Sequence, residues 1–144
     1  MKALTIWQPW ADLTVRGYKH WETRPRGISY RGQIAIHAAQ YHKLPHAVYM
    51  SIARAIGIAP DRYEESWLHD LEIGKPADRF GAVLGIAEIT GCEWTKDIRV
   101  SDQERALGDY TPGRAAWHME SIYRFENPIP ARGMQGLWNW DGAP

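Results

Sequence analysis

Residues 17–26 have the sequence Gly17-Tyr18-Lys19-His20-Trp21-Glu22-Thr23-Arg24-Pro25-Arg26, which concentrates four basic side chains, one acid and two aromatic rings in one short segment. Gly17 follows a short amphipathic run and predicts the end of a helix. The alternation after it predicts a strand with His20, Glu22 and Arg24 on one face. Lys19 would lie on the opposite face of a regular strand, unless the turn at Gly17 changes its direction. We interpret this segment as the wall of a cleft; an exposed, ion-paired strand edge is the alternative.

The residues before this segment predict a strand followed by a helix. Residues 3–7 are apolar, and Pro9 is predicted at the first position of a helix about two turns long. The spacing of Trp10 and Leu13 indicates that both face the core, whereas Asp12 is predicted to face water.

The residues after it predict a basic loop, a strand and two helices. Residues 25–31 combine turn formers with arginines, and residues 32–38 form a strand with His37 on its less apolar face. Residues 45–57 have helical spacing, and Asp61 with Glu64 predicts a capping box for a helix over residues 62–72. We expect this helical segment, at about 45–72, to be an insertion.

The second half of the chain predicts mainly strands. Residues 81–89 are apolar on both faces, which is typical of a central strand, and Gly85 permits close backbone approach. Ser101 and Glu104 predict a capping box. Residues 115–125 alternate, and Pro128–Pro130 is predicted to end that strand before a last one at 135–140; the alternation places Trp117, Met119, Tyr123 and Phe125 on its buried side.

These elements predict the α+β class: a mixed β-barrel of five to six strands with peripheral helices. An open α+β sheet is the alternative. The chain of 144 residues is the length of one domain, so we expect a single domain over 1–144. The strands and helices do not alternate as in a doubly wound nucleotide-binding fold.

The amino-acid composition limits the classes of function that this protein can have. The 17 basic and 17 acidic residues cancel, so any polyanion must be bound by a local patch. Cys92 is the single cysteine, which is typical of a reducing compartment, and we expect a cytoplasmic protein without a membrane span. His42 and His46 are four residues apart, but no carboxylate pattern follows them and Pro45 between them disfavours a helical pairing, so we predict no metal and no cofactor.

Several side chains are candidates for ligand binding. Lys19 and Glu22 would contact polar edges of a ligand, and Arg24, Arg26 and Arg31 would contact phosphate. A stacking face would come from Trp10, Tyr110 or Trp117. Glu88 lies within an apolar strand and must be paired or point into a cavity. The full set of candidates is Trp7, Pro9, Trp10, Lys19, Glu22, Arg24, Arg26, Arg31, His37, Glu88, Tyr110, Arg114 and Trp117. For His37 a hydrogen-bonded structural role is the alternative.

Motifs along nearly the whole chain resemble the activating-signal-cointegrator homology (ASCH) domain family. The similar residues are Leu4-x-Ile6-x-x-Pro9-Trp10-Ala11, Gly17-x-Lys19-x-x-Glu22-x-Arg24, Arg31-Gly32-x-Ile34-x-Ile36-His37-Ala38-Ala39, Gly81-x-Val83-x-Gly85 and Gly108-Asp109-Tyr110 with Trp117. The resemblance implies a PUA-like β-barrel with a cleft for RNA, a nucleotide or a modified nucleoside.

The resemblance also implies two possible functions. Some relatives are hydrolases: one branch deacetylates acetylated cytidine with a Lys, a Thr three residues later and a distant Glu, and another is described as a ribonuclease. Lys19 matches that Lys, and Glu104 best matches the distant acid, with Glu88 as the second match. Glu22, however, occupies the Thr position. This departure favours the coactivator-type members, which are regarded as nucleic-acid binders. We therefore expect binding of single-stranded RNA or a nucleotide-like ligand; hydrolysis by Lys19, Glu22 and Glu104 is the alternative.

Overall fold

The computed structural model describes residues 1–142 and contains six strands and four α-helices within them. Short 3₁₀ segments occur at Pro60–Glu65, Ala77–Arg79 and Thr95–Asp97. The elements in chain order are β1 (Lys2–Ile6), α1 (Trp10–Val15), β2 (Trp21–Arg24), β3 (Gly32–Ala38), α2 (His46–Ile56), α3 (Trp67–Glu72), β4 (Ala82–Trp94), α4 (Asp102–Ala106), β5 (Ala115–Pro130) and β6 (Leu137–Asn139).

The strands form one mixed sheet in the order β2-β5-β4-β3-β1-β6. Strands β1 and β3 are parallel, with Lys2 opposite Ile34, and the other recorded pairs are antiparallel. The sheet curls into a half-barrel with helices around it, and the predicted α+β, PUA-like fold is confirmed.

Apolar side chains cover both faces of the sheet. One cluster contains Leu4, Ile36 and Leu84 and includes Val15 of α1. The other contains Val83 and, from the C-terminal part of the chain, Trp138 and Trp140. Because neighbouring residues of β4 enter opposite clusters, that strand has to be apolar on both faces.

Close approach of two strands requires glycine at position 85. A Cβ atom there would overlap the backbone oxygen of Tyr123 on β5. The pairing of β4 with β5 shifts register between Val83 and Gly85 and again between Ile86 and Ala87. These bulges make the alternation along β5 discontinuous.

Strand β5 differs from its prediction in two respects. Tyr123 was predicted to be buried but is 56% exposed, because the register shifts interrupt the alternation on which that prediction rests. Pro130 was predicted to lie beyond the strand but pairs with Ala82. Among the described strands, β2 pairs only with residues 115–118 of β5, so the later prolines have an unpaired strand edge, where a missing N–H is tolerated.

Helix α1 also corrects the prediction at two positions. Pro9 precedes the helix instead of starting it, since the first helical residue is Trp10. Asp12 was predicted to face water, but it is fully buried and accepts hydrogen bonds from Gln8, Arg16 and Arg79. Arg79 is far away in sequence, so the spacing within the helix could not reveal this contact.

The segment 45–72 contains α2, a 3₁₀ segment and α3. The helix predicted from residue 62 instead begins at Trp67, and its cap is Ser66, whose hydroxyl accepts from the His69 backbone N–H at 3.2 Å. Apolar side chains of this segment pack with Leu13 of α1 and Leu107 after α4 in a third cluster, which includes Tyr49, Ile52, Tyr63 and Leu68.

Candidate functional site

The candidate site is a cavity of about 590 Å³. It lies where the end of β1, the segment 19–24 and the residues after α4 meet. Its lining residues are Thr5, Ile6, Trp7, Trp10, Lys19, Glu22, Thr23, Arg24, Ala106, Leu107, Gly108, Asp109 and Arg114.

The cavity contains a network of three charged side chains, two of which are nearly buried. Lys19 is 3% exposed and Glu22 is 8% exposed. The Lys19 ammonium donates to Glu22 Oε1 at 2.8 Å and to the Trp21 carbonyl oxygen. Arg24 Nε donates to Glu22 Oε2 at 2.9 Å, and Arg24 Nη2 donates to the Thr5 carbonyl oxygen at 3.1 Å. The turn after Gly17 therefore brings Lys19 to the same side as Glu22, in spite of their spacing.

The charge state of Glu22 follows from these neighbours. Burial opposes ionisation of its carboxyl, but the positive charges of Lys19 and Arg24 and their hydrogen bonds more than offset burial, so the pKa of Glu22 lies below its ordinary value of 4.5. Glu22 is thus an ionised acceptor whose two oxygens are both occupied by cations.

This lowered pKa predicts a pH dependence of stability. As pH falls below about 4.5, the unfolded chain takes up a proton at Glu22 before the folded protein does, so the free energy of unfolding decreases until the folded pKa is passed. Urea unfolding from about pH 6 to about pH 3 measures this slope. Glu22→Gln is expected to have a shallower slope than wild type; equal slopes would contradict the assignment.

Glu104 holds the start of β2 in place. The Glu104 backbone N–H is capped by Ser101 Oγ at 3.1 Å. Its carboxylate Oε1 accepts from the backbone N–H groups of His20 at 2.8 Å and Trp21 at 2.9 Å. The side chain is therefore engaged by the backbone beside Lys19, and it does not line the cavity.

A second wall of the cavity is formed by Thr23, Asp109 and Arg114. The Asp109 N–H donates to Thr23 Oγ1 at 3.1 Å, and Arg114 Nη2 donates to the Thr23 carbonyl oxygen at 3.1 Å. The carboxylate of Asp109 lies 3.5 Å from Arg114 Nε. Tyr110 lies behind this wall, and its ring is 5.4 Å from the Arg105 guanidinium carbon.

Aromatic rings occupy the rim and the base of the cavity. Trp7 is 51% exposed and tilts against the ring of His42, with ring centroids 4.6 Å apart. Trp10 is half-buried and joins the third apolar cluster. Trp117 does not line the cavity; its ring centroid lies 5.8 Å from the guanidinium carbon of Arg24. Of these three, Trp7 is the ring most accessible to a ligand.

Seven of the predicted ligand contacts do not line this cavity: Pro9, Arg26, Arg31, His37, Glu88, Tyr110 and Trp117. Arg26 and Arg31 are exposed on the loop before β3, where Arg31 donates to the Ile28 and Tyr30 carbonyl oxygens. His37 lines a different cavity. Glu88 is half-buried on β4, opposite Gln33 and Glu120 in the strand register. Pro9 is buried and connects Trp7 with the helix instead of lining the cavity.

Three lining residues with polar side chains were not predicted. Thr5 contributes a backbone oxygen, which no side-chain pattern reveals. Thr23 was expected to point away from the face of Glu22, yet it lines the same cavity. Asp109 is positioned by a turn in which its Oδ1 accepts from the Thr111 N–H at 3.1 Å. The Asp109-Tyr110-Thr111-Pro112-Gly113 turn composition was the available signal for this position.

Two further features of residues 1–142 bear on function. No group of three or more His, Cys, Asp or Glu side chains is arranged there to hold a metal ion. None of the helices in this part of the chain has the length and apolar character needed to cross a membrane.

Comparison with known proteins identifies the family. No curated protein matches the chain. The family model of the ASCH domain matches residues 4–129. This range contains β2, β3 and β4 completely and most of β1 and β5, and β6 lies outside it. The ASCH domain is generally a PUA-like RNA-binding domain. The match spans most of the 144 residues, so this chain belongs to the ASCH domain family.

Proposed function

We propose that the protein binds single-stranded RNA, or a nucleotide or modified nucleoside, in the 590 Å³ cavity. The observation that carries the proposal is the combination of a nearly buried Lys19-Glu22 pair, joined by Arg24, with an exposed Trp7 ring in one recess. Charged donors recognise polar edges and phosphate, and an accessible ring stacks on a base.

The cavity retains hydrogen-bond donors for such a ligand. Lys19 has three N–H groups, and its recorded protein partners are Trp21 and Glu22. Arg24 donates hydrogen bonds to Glu22 and Thr5 through Nε and Nη2, so the N–H groups of its Nη1 are available to a ligand. Arg114 is likewise recorded as a donor to Thr23 through Nη2. Each of the three cations is thus fixed by the protein and still has a donor to offer.

The charge and size of the cavity favour a small anionic ligand. Its lining includes three cations, Lys19, Arg24 and Arg114, and two carboxylates, Glu22 and Asp109. The local excess of positive charge contrasts with the zero net charge of the chain. A volume of about 590 Å³ is within the usual range for small-molecule sites. A long duplex would require a broad basic face instead.

Trp7→Ala tests the stacking role of the rim. Loss of one base stack of about 1–3 kcal/mol should weaken binding about 5- to 150-fold. Titration with uridine monophosphate and with a single-stranded RNA oligonucleotide measures the change. Trp94→Ala is the matched control, because Trp94 is also 51% exposed but does not line this cavity. Equal affinities of the Trp7 and Trp94 variants for both ligands would contradict the proposed site.

A hydrolase of acetylated cytidine or RNA is the second candidate, favoured by the ammonium of Lys19 beside a carboxylate within the cavity. Two contacts favour binding over this reaction. The lowered pKa of Glu22 makes its carboxylate a weak proton acceptor, and both its oxygens are occupied. Glu104 is engaged by two backbone N–H groups.

Incubation with acetylated cytidine and with single-stranded RNA separates the two candidates. Saturable binding without product supports the binder. Product formation by the wild type that is abolished in both Lys19→Ala and Glu22→Gln would establish the hydrolase instead. We also propose a place among the coactivator-type members of the family, since Glu22 stands where the deacetylating branch has Thr.

A further inference from the structure

A second cavity, of about 840 Å³, adjoins the first at Thr5. Thr5 lines both cavities. Its backbone oxygen accepts from Arg24 of the first cavity, and its side chain contacts His37 of the second. The two cavities therefore meet across a single residue at the end of β1.

Hydrogen bonds fix the floor of the second cavity. His37 Nε2 lies 2.7 Å from the Ala131 carbonyl oxygen, which can only accept, so Nε2 carries a proton. In the neutral ring His37 Nδ1 then accepts from Thr5 Oγ1 at 3.1 Å. Thr5 Oγ1 itself accepts from Trp138 Nε1 at 3.1 Å. This chain of donors gives a rigid polar floor that is continuous with the first cavity.

The rim of the second cavity has an excess of positive charge. Arg132 is exposed, and its neighbours on the rim include the amides Gln40 and Gln135. The residues that line the cavity include no Asp or Glu. Met134 is 59% exposed beside them and offers an apolar, polarisable surface. A guanidinium with amides and an apolar side chain fits a phosphate, the polar edge of a base and its flat face.

We propose that this second cavity, defined by Thr5, His37, Gln40, Arg132, Met134 and Gln135, binds the neighbouring nucleotide of a single-stranded RNA whose first nucleotide occupies the Lys19-Glu22-Arg24 cavity. The inference rests on the proposed function. It adds a path for the bound strand, which runs from the first cavity over Thr5 to the second. It also assigns Arg132 to the phosphate of the second nucleotide.

The test measures how the gain in affinity from a mononucleotide to a trinucleotide depends on the charge at position 132. Wild type, Arg132→Gln and Arg132→Glu are titrated with uridine monophosphate and with a single-stranded triuridylate at several salt concentrations. Arg99→Gln is the matched control, because Arg99 is exposed and lines neither cavity. Wild type and Arg99→Gln should gain affinity from the monophosphate to the trinucleotide.

In Arg132→Gln the gain in affinity from the monophosphate to the trinucleotide should be smaller by about five- to tenfold, and in Arg132→Glu it should be smaller still. The salt dependence of trinucleotide binding should also become shallower by about 0.7 in log–log slope, the value for one phosphate contact on a single strand. An equal gain in all four proteins would overturn the second site while leaving the proposed function intact. Absence of binding by every ligand to wild type would overturn both.

Discussion

Glu22→Gln is expected to destabilise the folded protein by about 3–5 kcal/mol, because it leaves the ammonium of Lys19 nearly buried without a counter-charge. Lys19 is only 3% exposed, and its other recorded acceptor is a backbone carbonyl. Arg24 loses its carboxylate partner in the same variant but is 28% exposed and is partly solvated. Urea unfolding at neutral pH measures the loss.

The control for this variant is Glu65→Gln. Glu65 pairs with Arg62 at 3.1 Å, but both side chains are 71% exposed, so the change should cost less than about 1 kcal/mol. Lys19→Met combined with Glu22→Gln should be less destabilised than the sum of the single variants, because the stranded cation is removed. Additive losses, or a small effect of Glu22→Gln alone, would show that the network is better solvated than its burial indicates.

Asp12→Ala is expected to have a loss of similar size, about 3–5 kcal/mol, for the same electrostatic reason. Asp12 is fully buried; its carboxylate accepts from Arg79 Nε at 2.9 Å, from Arg16 Nε at 3.0 Å and from Gln8 Nε2 at 2.6 Å. Removal leaves two partly buried guanidiniums without their acid. Thermal and urea unfolding measure the loss.

Asp61→Ala provides the comparison for Asp12→Ala. Asp61 is exposed in the 3₁₀ segment Pro60–Glu65, so its replacement should change the free energy of unfolding by less than about 0.5 kcal/mol. Asp12→Asn keeps the shape of the side chain but loses its charge, so its stability should lie between those of the wild type and Asp12→Ala. A stable Asp12→Ala protein would mean that the arginines find other partners.

The fold was predictable where local pattern and burial agree. Of the predicted strand residues 81–89, all but Gly81 belong to the central strand β4, and the predicted close approach at Gly85 is present. Tyr123 shows the limit of that reasoning. Two of the three register shifts between β4 and β5 lie on either side of its pairing with Ile86, and a bulge depends on the partner strand, which the local sequence does not describe.

The site was predictable to the level of the segment but not of the individual contacts. The charge pattern of residues 17–26 indicated Lys19, Glu22 and Arg24, and all three line the cavity. Neither the backbone oxygen of Thr5 nor the burial of Asp12 has a local signal, since each depends on an arginine distant in sequence. Arg26 and Arg31 belong to the same basic stretch as Arg24, but they lie on the loop between β2 and β3 and do not line the cavity.

The third apolar cluster has a mechanical consequence for the cavity. Helix α4 has five residues, too few to be stable alone, and Leu107 at its end packs with Tyr49, Ile52 and Leu68 of the 45–72 segment. The residues from Ala106 to Asp109 also line the cavity. A substitution in the remote helices can therefore shift this wall and alter what fits, so ligand preference in this protein can change without any change among the residues that touch the ligand.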